Sequence, residues 1–429
     1  MSGGGPASLI LATDNVVYYR GAIVFAVRLP RTVKIGRERG MRIVVVGGGV
    51  GGLTVARSLW KAGFDVLVLE QAREYGEVGA GIQLGPSATR VLDRLGLGER
   101  LAGIGVVPDA WRILRWADDS VLSDMRVAQD ALARFGAPYY TVHRAELIEL
   151  LREGLPGGMV RTGARVTEVV NGDKPEVRLA DGTVESADVV VGADGTHSVV
   201  RAETVGDVLA RFSRMIAYRS LIPWAEVPPG TDRTVRTWLG PGRHVTAYPV
   251  GRGRRYLSVV AVLPEPVRSA ESWTASGGIG ELRAQLAHWG PGVRNLTEAI
   301  NATVYRWALY VREPLLHWST AATTLIGDAC HPMMPFMPQG AAQAIGDAAA
   351  LAACLRRNPG EPAAALARYE VARQPHTARI QLLSWTNNGA FHLPDGPEQK
   401  LRDQGLAASR TTTEALHWLY GNDPEHLPN

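Results

Sequence analysis

The chain has 429 residues, a formal net charge of +4, 46% hydrophobic and 21% charged residues, an ordinary balance for a globular protein of two or three domains. That charge is too small and too dispersed for a nucleic-acid binder, and no apolar run approaches the ~18 residues that would suggest a membrane span. The two cysteines, Cys330 and Cys354, are too few for a disulfide framework or a metal cluster and fit a reducing cytoplasm.

Residues 1–40 carry no basic stretch ahead of an apolar core, so they read as an N-terminal extension and not as a signal peptide. Residues 43–46 are a continuous apolar run, the pattern of a strand buried in a parallel sheet. Gly47, Gly49 and Gly52 then fill the three positions of G-x-G-x-x-G, with Val50 among them. The first glycine permits a tight turn, the second lets a pyrophosphate approach the backbone, and the third lets a helix pack on the sheet. Residues 53–62 have helical apolar spacing and Gly63 stands where that helix stops. A second buried strand at 66–69 ends in Glu70, the position that grips a ribose diol. Strand, helix, strand and terminal acid in this order predict a dinucleotide site, which a bare glycine motif would not.

Residues 77–88 are rich in glycine and read as a loop where backbone approaches a flat ligand, with Gly81 and Gln83 on it. A helix is expected at 89–101, a strand at 110–116 and a helix beginning near His143 and Arg144. Residues 165–170 and 176–179 pair like a hairpin, and 188–191 is another buried strand. From Ile216 the pattern changes. Strands at 216–223, 234–239, 244–250 and 256–262, separated by Gly, Pro and Arg turns, describe a sheet-rich insertion that includes a helix at 281–288. A strand at 323–326, an alanine-rich helix at 343–355 and a helical stretch at 362–383, interrupted at Pro375, follow.

Two further stretches sit directly after buried strands: GADGTHSVVR at 192–201 and GDACHPMMPFMPQGAAQAIGD at 327–347. Asp194 opens an Asp-Gly turn. Asp328 ends a strand, where a carboxylate can accept hydrogen bonds from sugar-alcohol hydroxyls. Gly340, Ala341 and Ala342 open a helix whose free N–H groups and positive dipole end favour negative charge. Together with the first glycine motif, these stretches resemble the three fingerprints of the FAD-dependent aromatic hydroxylases, the p-hydroxybenzoate hydroxylase-like single-component monooxygenases. The resemblance runs from Met41 to about Arg379. Within it, GDACHPM and GPGRHVTAYPV are most similar to the salicylate hydroxylase and 6-hydroxynicotinate 3-monooxygenase branch.

The resemblance implies an α/β fold. Its parts are a Rossmann-type FAD-binding domain (41–107, 138–206 and 318–380), an inserted sheet-rich α+β substrate domain (108–137 and 207–317) and a C-terminal helical segment (381–429). It implies FAD, with Gly47, Gly49, Val50 and Gly52 at the pyrophosphate and Glu70 on the adenosine ribose. Gly81, Arg144 and Asp194 would lie against the cofactor, Asp328 at the ribityl chain, and Gly340, Ala341 and Ala342 at the pyrimidine edge. NADH or NADPH would reduce the flavin, O2 would add as a C4a-hydroperoxide, and the distal oxygen would attack an electron-rich ring carbon. The implied partners are O2 and a small phenolic or hydroxy-heteroaromatic substrate, with neither nucleic acid nor membrane; a homodimer is compatible.

That chemistry needs an apolar pocket with a few polar groups. Met333, Met334, Pro335, Phe336 and Met337 supply an apolar loop beside the flavin site, although such methionines also serve as core filler. Tyr218, His244 and Tyr248 lie on the inserted strands, the last two on one face, and Gln83 lies on the glycine loop. Tyr218 is placed to relay a proton or hold a hydroxyl, and Arg219 or His244 to meet a carboxylate. Strand tyrosines equally serve as packing residues. His331 reads as shaping its loop, not as a base.

Three features depart from the family pattern. Ser87 follows Pro86 where Asn is usual, Gly346 precedes Asp347 where Glu is usual, and Gln83 and Phe336 stand where 6-hydroxynicotinate enzymes carry histidines. Two other readings stay open. One is a different flavin chemistry on a larger natural product, for which the halogenase W-x-W-x-I-P motif is missing; the other is a non-catalytic flavin holder.

Overall fold

The glycine motif sits at the centre of a five-stranded parallel sheet in the order Thr323–Leu325, Val189–Gly192, Arg42–Val46, Asp65–Leu69, Val160–Arg161. Val44, Val45, Val189, Val190 and Val191 are fully buried, as strands covered on both faces must be. This computed structural model describes residues 40–76, 81–206, 210–266, 278–408 and 416–427. The expected N-terminal extension, Gly40 apart, and residues 77–80 of the glycine loop lie outside them. Met41–Asn429 is one unit by its internal contacts.

Helices Val50–Lys61 and Gly340–Arg357 pack against each other, and the latter shares one apolar core with the parallel sheet and a small antiparallel sheet. That small sheet contains the anticipated pair, Val166–Val170 against Glu176–Leu179. A second sheet has seven strands in the order Tyr305–Val311, Arg211–Pro223, Tyr256–Pro264, Arg243–Val250, Val235–Gly240, Trp111–Arg115, Val121–Met125. It is antiparallel except where Val235–Gly240 runs parallel to Trp111–Arg115. One of its faces packs on helices Ile279–Leu286 and Pro291–Glu298 through Leu282, Leu286, Trp289, Val293 and Leu296. The parallel sheet, the inserted mixed sheet and the C-terminal helices are the α/β architecture the sequence predicts. Among the described residues no helix is long and apolar enough to cross a membrane.

The chain departs from the expected elements in three places. Gly81–Leu84 is not loop but a strand, antiparallel to Tyr140–His143; its glycine is needed because a Cβ at Gly81 would stand 2.5 Å from the Tyr248 ring. The helix expected at 89–101 is two, Pro86–Arg94 and Gly98–Ile104, because Gly96 takes a left-handed φ of +77° that ends the first. Pro375 does not interrupt its helix, which runs continuously from Pro362 to Phe391. An interior proline costs about 3 kcal/mol. Here side chains on both sides of it are tied down: Arg373 donates to Asp347 (2.8 Å), Gln374 to the Leu315 carbonyl (3.1 Å) and Gln381 to the Arg312 carbonyl (2.8 Å).

Candidate active site

The loop after the first strand has the form of a phosphate cradle. Gly47 has φ +104°, and a Cβ on Gly52 would lie 1.9 Å from the Gly47 carbonyl oxygen, so both positions require glycine. Gly49 is different: a Cβ there would meet no protein atom within 4 Å, so the space above it is open. Gly49 caps helix Val50–Lys61 without a side-chain hydrogen bond, and the first turn holds no acidic residue. Its orphan N–H groups and positive dipole end therefore remain available to an anion.

Glu70 ends the neighbouring strand. Its Oε2 accepts from the Gly48 N–H and its Oε1 from the Ala72 N–H, both at 2.7 Å. A carboxylate offers about four lone-pair sites, so two remain for a diol. Arg144 starts helix Arg144–Arg152; burial lowers its pKa from the ordinary value, while the nearby carboxylates of Glu70 and Asp328 oppose that. Asp328 Oδ1 lies 3.7 Å from where a Cβ of Gly340 would stand, at the start of helix Gly340–Arg357, whose N-cap Gln339 makes no side-chain cap bond. Two uncapped helix starts, one of them capped by an open glycine, and acids at the ends of two strands fit a long anionic dinucleotide with a polyol spacer, and FAD is such a molecule.

The Asp194 side chain turns away from the cradle towards the helix that follows it. Its carboxylate accepts from Ser198 Oγ (2.5 Å), Val199 N (2.8 Å) and Val200 N (3.2 Å), closing the start of helix Val199–Val205. Its backbone nevertheless abuts the cradle, 3.0 Å from a Cβ built on Gly47. It shapes the loop, and its side chain is committed to the helix. Ala342 is buried inside its helix, unlike Gly340 and Ala341, which border open space.

Between the Gly340 helix start and the seven-stranded sheet lies a cavity of about 470 Å³, within the size class of small-molecule sites. It gathers Gly81, Gln83, Arg144, His244, Tyr248, Asp328, Pro335, Phe336, Gly340 and Ala341 from four separate parts of the sequence. The loop from Pro332 to Pro338 forms one wall, with Met334 and Phe336 packed towards the sheet and Met333 and Met337 towards Tyr139 and Tyr420.

Tyr218 is not among them, which corrects its expected catalytic role. Successive strand residues face opposite ways, and Tyr218 points to the helical side, where it packs with Leu282 and Leu286 and its hydroxyl meets Arg306 and Glu281. Its neighbour Arg219 faces the cavity instead. The Arg219 guanidinium lies 4.2 Å over the Trp307 ring, and its Nε is buried with no hydrogen-bond partner. Burial lowers its pKa to about 10, with Tyr248 opposing, so it remains a cation at neutral pH. Among the described residues this guanidinium makes no hydrogen bond and no ion pair. Arg219 is half-buried, and a cation drawn partly out of water is stabilised by a paired anion. Its missing acceptor points to an anionic ligand.

The other polar groups are held in place. Tyr139 donates to Gln83 Oε1 at 2.8 Å, and the Tyr248 hydroxyl interacts with Ser258 and Gln83. Burial raises Tyr248, so it stays a neutral phenol. His244 Nδ1 is 2.8 Å from His392 Nε2, and burial, with His392 adding to it, holds His244 well below its ordinary value. His331 bonds Asp347 at 2.6 Å beneath the loop, and Asp347 also binds Arg373 and the Gly327 N–H. Cys330, His331 and Asp347 lie close enough for a metal ion, but the carboxylate is filled by these donors, one a guanidinium. The cluster is an ion-pair knot that fixes the loop. Several cavity residues carried no usable sequence signal: Trp111, Trp307, Leu416, Leu419 and Tyr420 reach the site only through sheet register and the fold-back of the C-terminal segment.

A profile described as an FAD binding domain matches residues 41–382. The chain is 42% identical over 389 residues to 3-amino-4-hydroxybenzoate 2-monooxygenase of Streptomyces cremeus, spanning 90% of this chain and 96% of that one. To 6-hydroxynicotinate 3-monooxygenase of Pseudomonas fluorescens it is 36% identical over 351 residues, 81% and 91% of the two chains. Among solved structures, Klebsiella pneumoniae HpxO complexed with FAD and uric acid matches with a TM-score of 0.79 at 26% identity, over 90% of this chain and 97% of that one.

Proposed function

The chain belongs to the FAD-dependent aromatic monooxygenases, and from that premise we propose that its substrate is a small hydroxylated aromatic acid bound by its carboxylate to Arg219. The observation that carries this reading is the half-buried guanidinium on the cavity wall, with its Nε shielded from water and no hydrogen-bond acceptor among the described residues. Relatives named for 3-amino-4-hydroxybenzoate, 6-hydroxynicotinate and 3-hydroxybenzoate are all named for rings bearing a carboxyl and a hydroxyl group, which supports it.

When bound, FAD supplies the redox chemistry, taking hydride from NADH or NADPH and activating O2. Gly47, Gly49, Val50 and Gly52 would hold its pyrophosphate, Glu70 its adenosine ribose, Asp328 its ribityl hydroxyls, with Arg144, Gly81, Gly340 and Ala341 along its length. The chain's own residues do the rest. Arg219 anchors the carboxylate, and Pro335, Phe336 and the flanking methionines exclude water and press on the ring. Gln83 and Tyr248, tied to Tyr139 and Ser258, orient the polar substituents. His244 accepts the ring-hydroxyl proton, which makes the ring electron-rich. Two buried, unpaired cysteines are consistent with work in the cytoplasm, where the nicotinamide cofactor is supplied.

The test is a screen of benzoates, hydroxypyridine carboxylates and their decarboxylated analogues for stimulated NADH and NADPH oxidation. Hydroxylated acids are expected to stimulate and their decarboxylated counterparts to fail. Equal stimulation by both would refute the proposed anchor.

A further inference from the structure

The end of the long C-terminal helix reaches the active site through one side chain that no fingerprint contains. His392 follows helix Pro362–Phe391, and its Nε2 lies 2.8 Å from His244 Nδ1. The two ring planes are 23° apart with centroids at 5.1 Å, the arrangement of near-coplanar imidazoles sharing one proton. On the far side, His392 Nδ1 is 2.9 Å from Asn388 Oδ1.

An amide oxygen only accepts, so His392 Nδ1 carries the hydrogen and its Nε2 a lone pair. The shared proton then belongs to His244 Nδ1, which leaves the lone pair of neutral His244 on Nε2. That nitrogen bonds to no protein atom among the described residues, and His244 lines the cavity. We propose that His392, held by Asn388, sets the tautomer of His244 and thereby makes His244 Nε2 the atom that takes the substrate's ring-hydroxyl proton.

The surroundings keep the pair in register. The Gly242 N–H donates to the His392 carbonyl (3.0 Å), and Arg402 Nη1 to the Ala390 carbonyl (2.7 Å), pinning the helix end to the turn before strand Arg243–Val250. Phe336 meets both rings edge-on and Phe391 meets His244, so no second polar group competes for Nδ1. Arg402 bears on His392, and the cavity that His244 lines also holds Arg112, Arg144, Arg219, Tyr248 and Asp328. Burial and Arg402 push His392 down to about 4, so it stays a neutral acceptor. In the step itself the substrate O–H bond breaks, an N–H bond forms at Nε2, and the oxygen keeps the electron pair. The resulting His244 imidazolium retains its Nδ1–H on His392. His392 is a positioning residue, since it touches neither substrate nor cofactor.

The proposal rests on the reading of His244 as base, and two readouts separate them. The first is ¹⁵N NMR of the histidine rings in the FAD-loaded enzyme without substrate, with His244→Gln to assign the signal. The Nδ1–H tautomer is expected in the wild type and in His392→Gln, whose amide oxygen still accepts. A tautomer mixture is expected in His392→Leu and in Asn388→Leu, the latter serving if the former fails to fold. The second is the ultraviolet difference spectrum of 3-amino-4-hydroxybenzoate bound to the oxidised enzyme across pH. Its ionised fraction is expected to fall roughly tenfold in His392→Leu and to be rescued in His392→Gln. An Nε2–H tautomer in the wild type, or an unchanged tautomer and bound spectrum in His392→Leu, overturns the proposal. If this phenol does not bind the wild type at all, the substrate reading fails while the tautomer result still stands or falls alone.

Discussion

Replacing Arg219 by methionine keeps a long apolar stem over Trp307 and removes only the charge and its donors. Its side chain is half-buried with Nε shielded from water, keeps its charge with a pKa near 10, and makes no hydrogen bond among the described residues. A carboxylate bound there would gain hydrogen bonds worth about 1.5–3 kcal/mol each. Truncating one partner of such a buried pair costs about 2–5 kcal/mol. A central value of about 3 kcal/mol corresponds to a Kd rise of roughly 150-fold. The assay is a two-by-two comparison: wild type and Arg219→Met, each titrated with 3-amino-4-hydroxybenzoate and with 2-aminophenol, which lacks the carboxylate. The coupling between residue and carboxylate should account for most of the loss, and 2-aminophenol should bind the variant no worse than the wild type. If the variant weakens both ligands equally, the anchoring argument is wrong, because the effect would then come from repacking around Trp307 or from the cofactor.

The glycine cradle makes a sharper contrast than its motif suggests. Gly49→Ala should leave the stability of the apoprotein within about 1 kcal/mol while weakening FAD retention, because its Cβ would enter space that no protein atom fills. Gly52→Ala should destabilise the fold by about 1–3 kcal/mol, because its Cβ would strike the Gly47 carbonyl; thermal melts with and without FAD separate the two. Tyr218→Phe should change kcat/KM by less than roughly threefold, since its hydroxyl lies on the helical side of the sheet. Arg373→Met should cost about 3–5 kcal/mol by leaving Asp347 buried beside His331 without its guanidinium, as denaturant titration would read.

Acid should weaken the fold in two windows. Burial holds His376 and His392 near 4, below the ordinary 6.5, so the unfolded chain binds more protons than the folded one between those values. Stability is full above 6.5 and falls by roughly 3 kcal/mol per histidine as pH approaches 4. Burial alone would raise Asp347, but His331 and Arg373 outweigh it and hold it at about 2. Its contribution is therefore lost only as pH falls from about 4 towards 2. Denaturant midpoints measured from pH 8 to pH 3 would show a decline beginning near 6.5; a flat profile down to pH 4 would contradict the histidine assignments.

What the sequence disclosed was local and periodic. The G-x-G-x-x-G turn, the acid at the strand end and the Gly-Asp stretch after Leu325 each encode their backbone needs within a few residues, so the form of the glycine cradle was legible in the sequence. Two-residue strand periodicity put His244 and Tyr248 on one face, and they do line one cavity. The same periodicity cannot say which face is which, and Tyr218 was assigned a catalytic role when Arg219, one residue on, holds the cavity side. Pro375 misled because propensity is local, whereas the helix is held by side chains bonded to distant carbonyls. His392 and the Leu416–Tyr420 segment were invisible for the same reason: only the fold-back of the C-terminal helices brings them to the site.

As a flavin monooxygenase, this protein should insert one oxygen atom of O2 into its aromatic substrate. The most direct measurement is mass spectrometry of the product formed by the FAD-loaded enzyme under ¹⁸O2 with NAD(P)H and an acid that stimulates its oxidation. One ¹⁸O atom in the ring hydroxyl of each product molecule is expected. Product carrying only oxygen from water, or NAD(P)H consumed with hydrogen peroxide as the sole oxygen product for every acid tried, would contradict it.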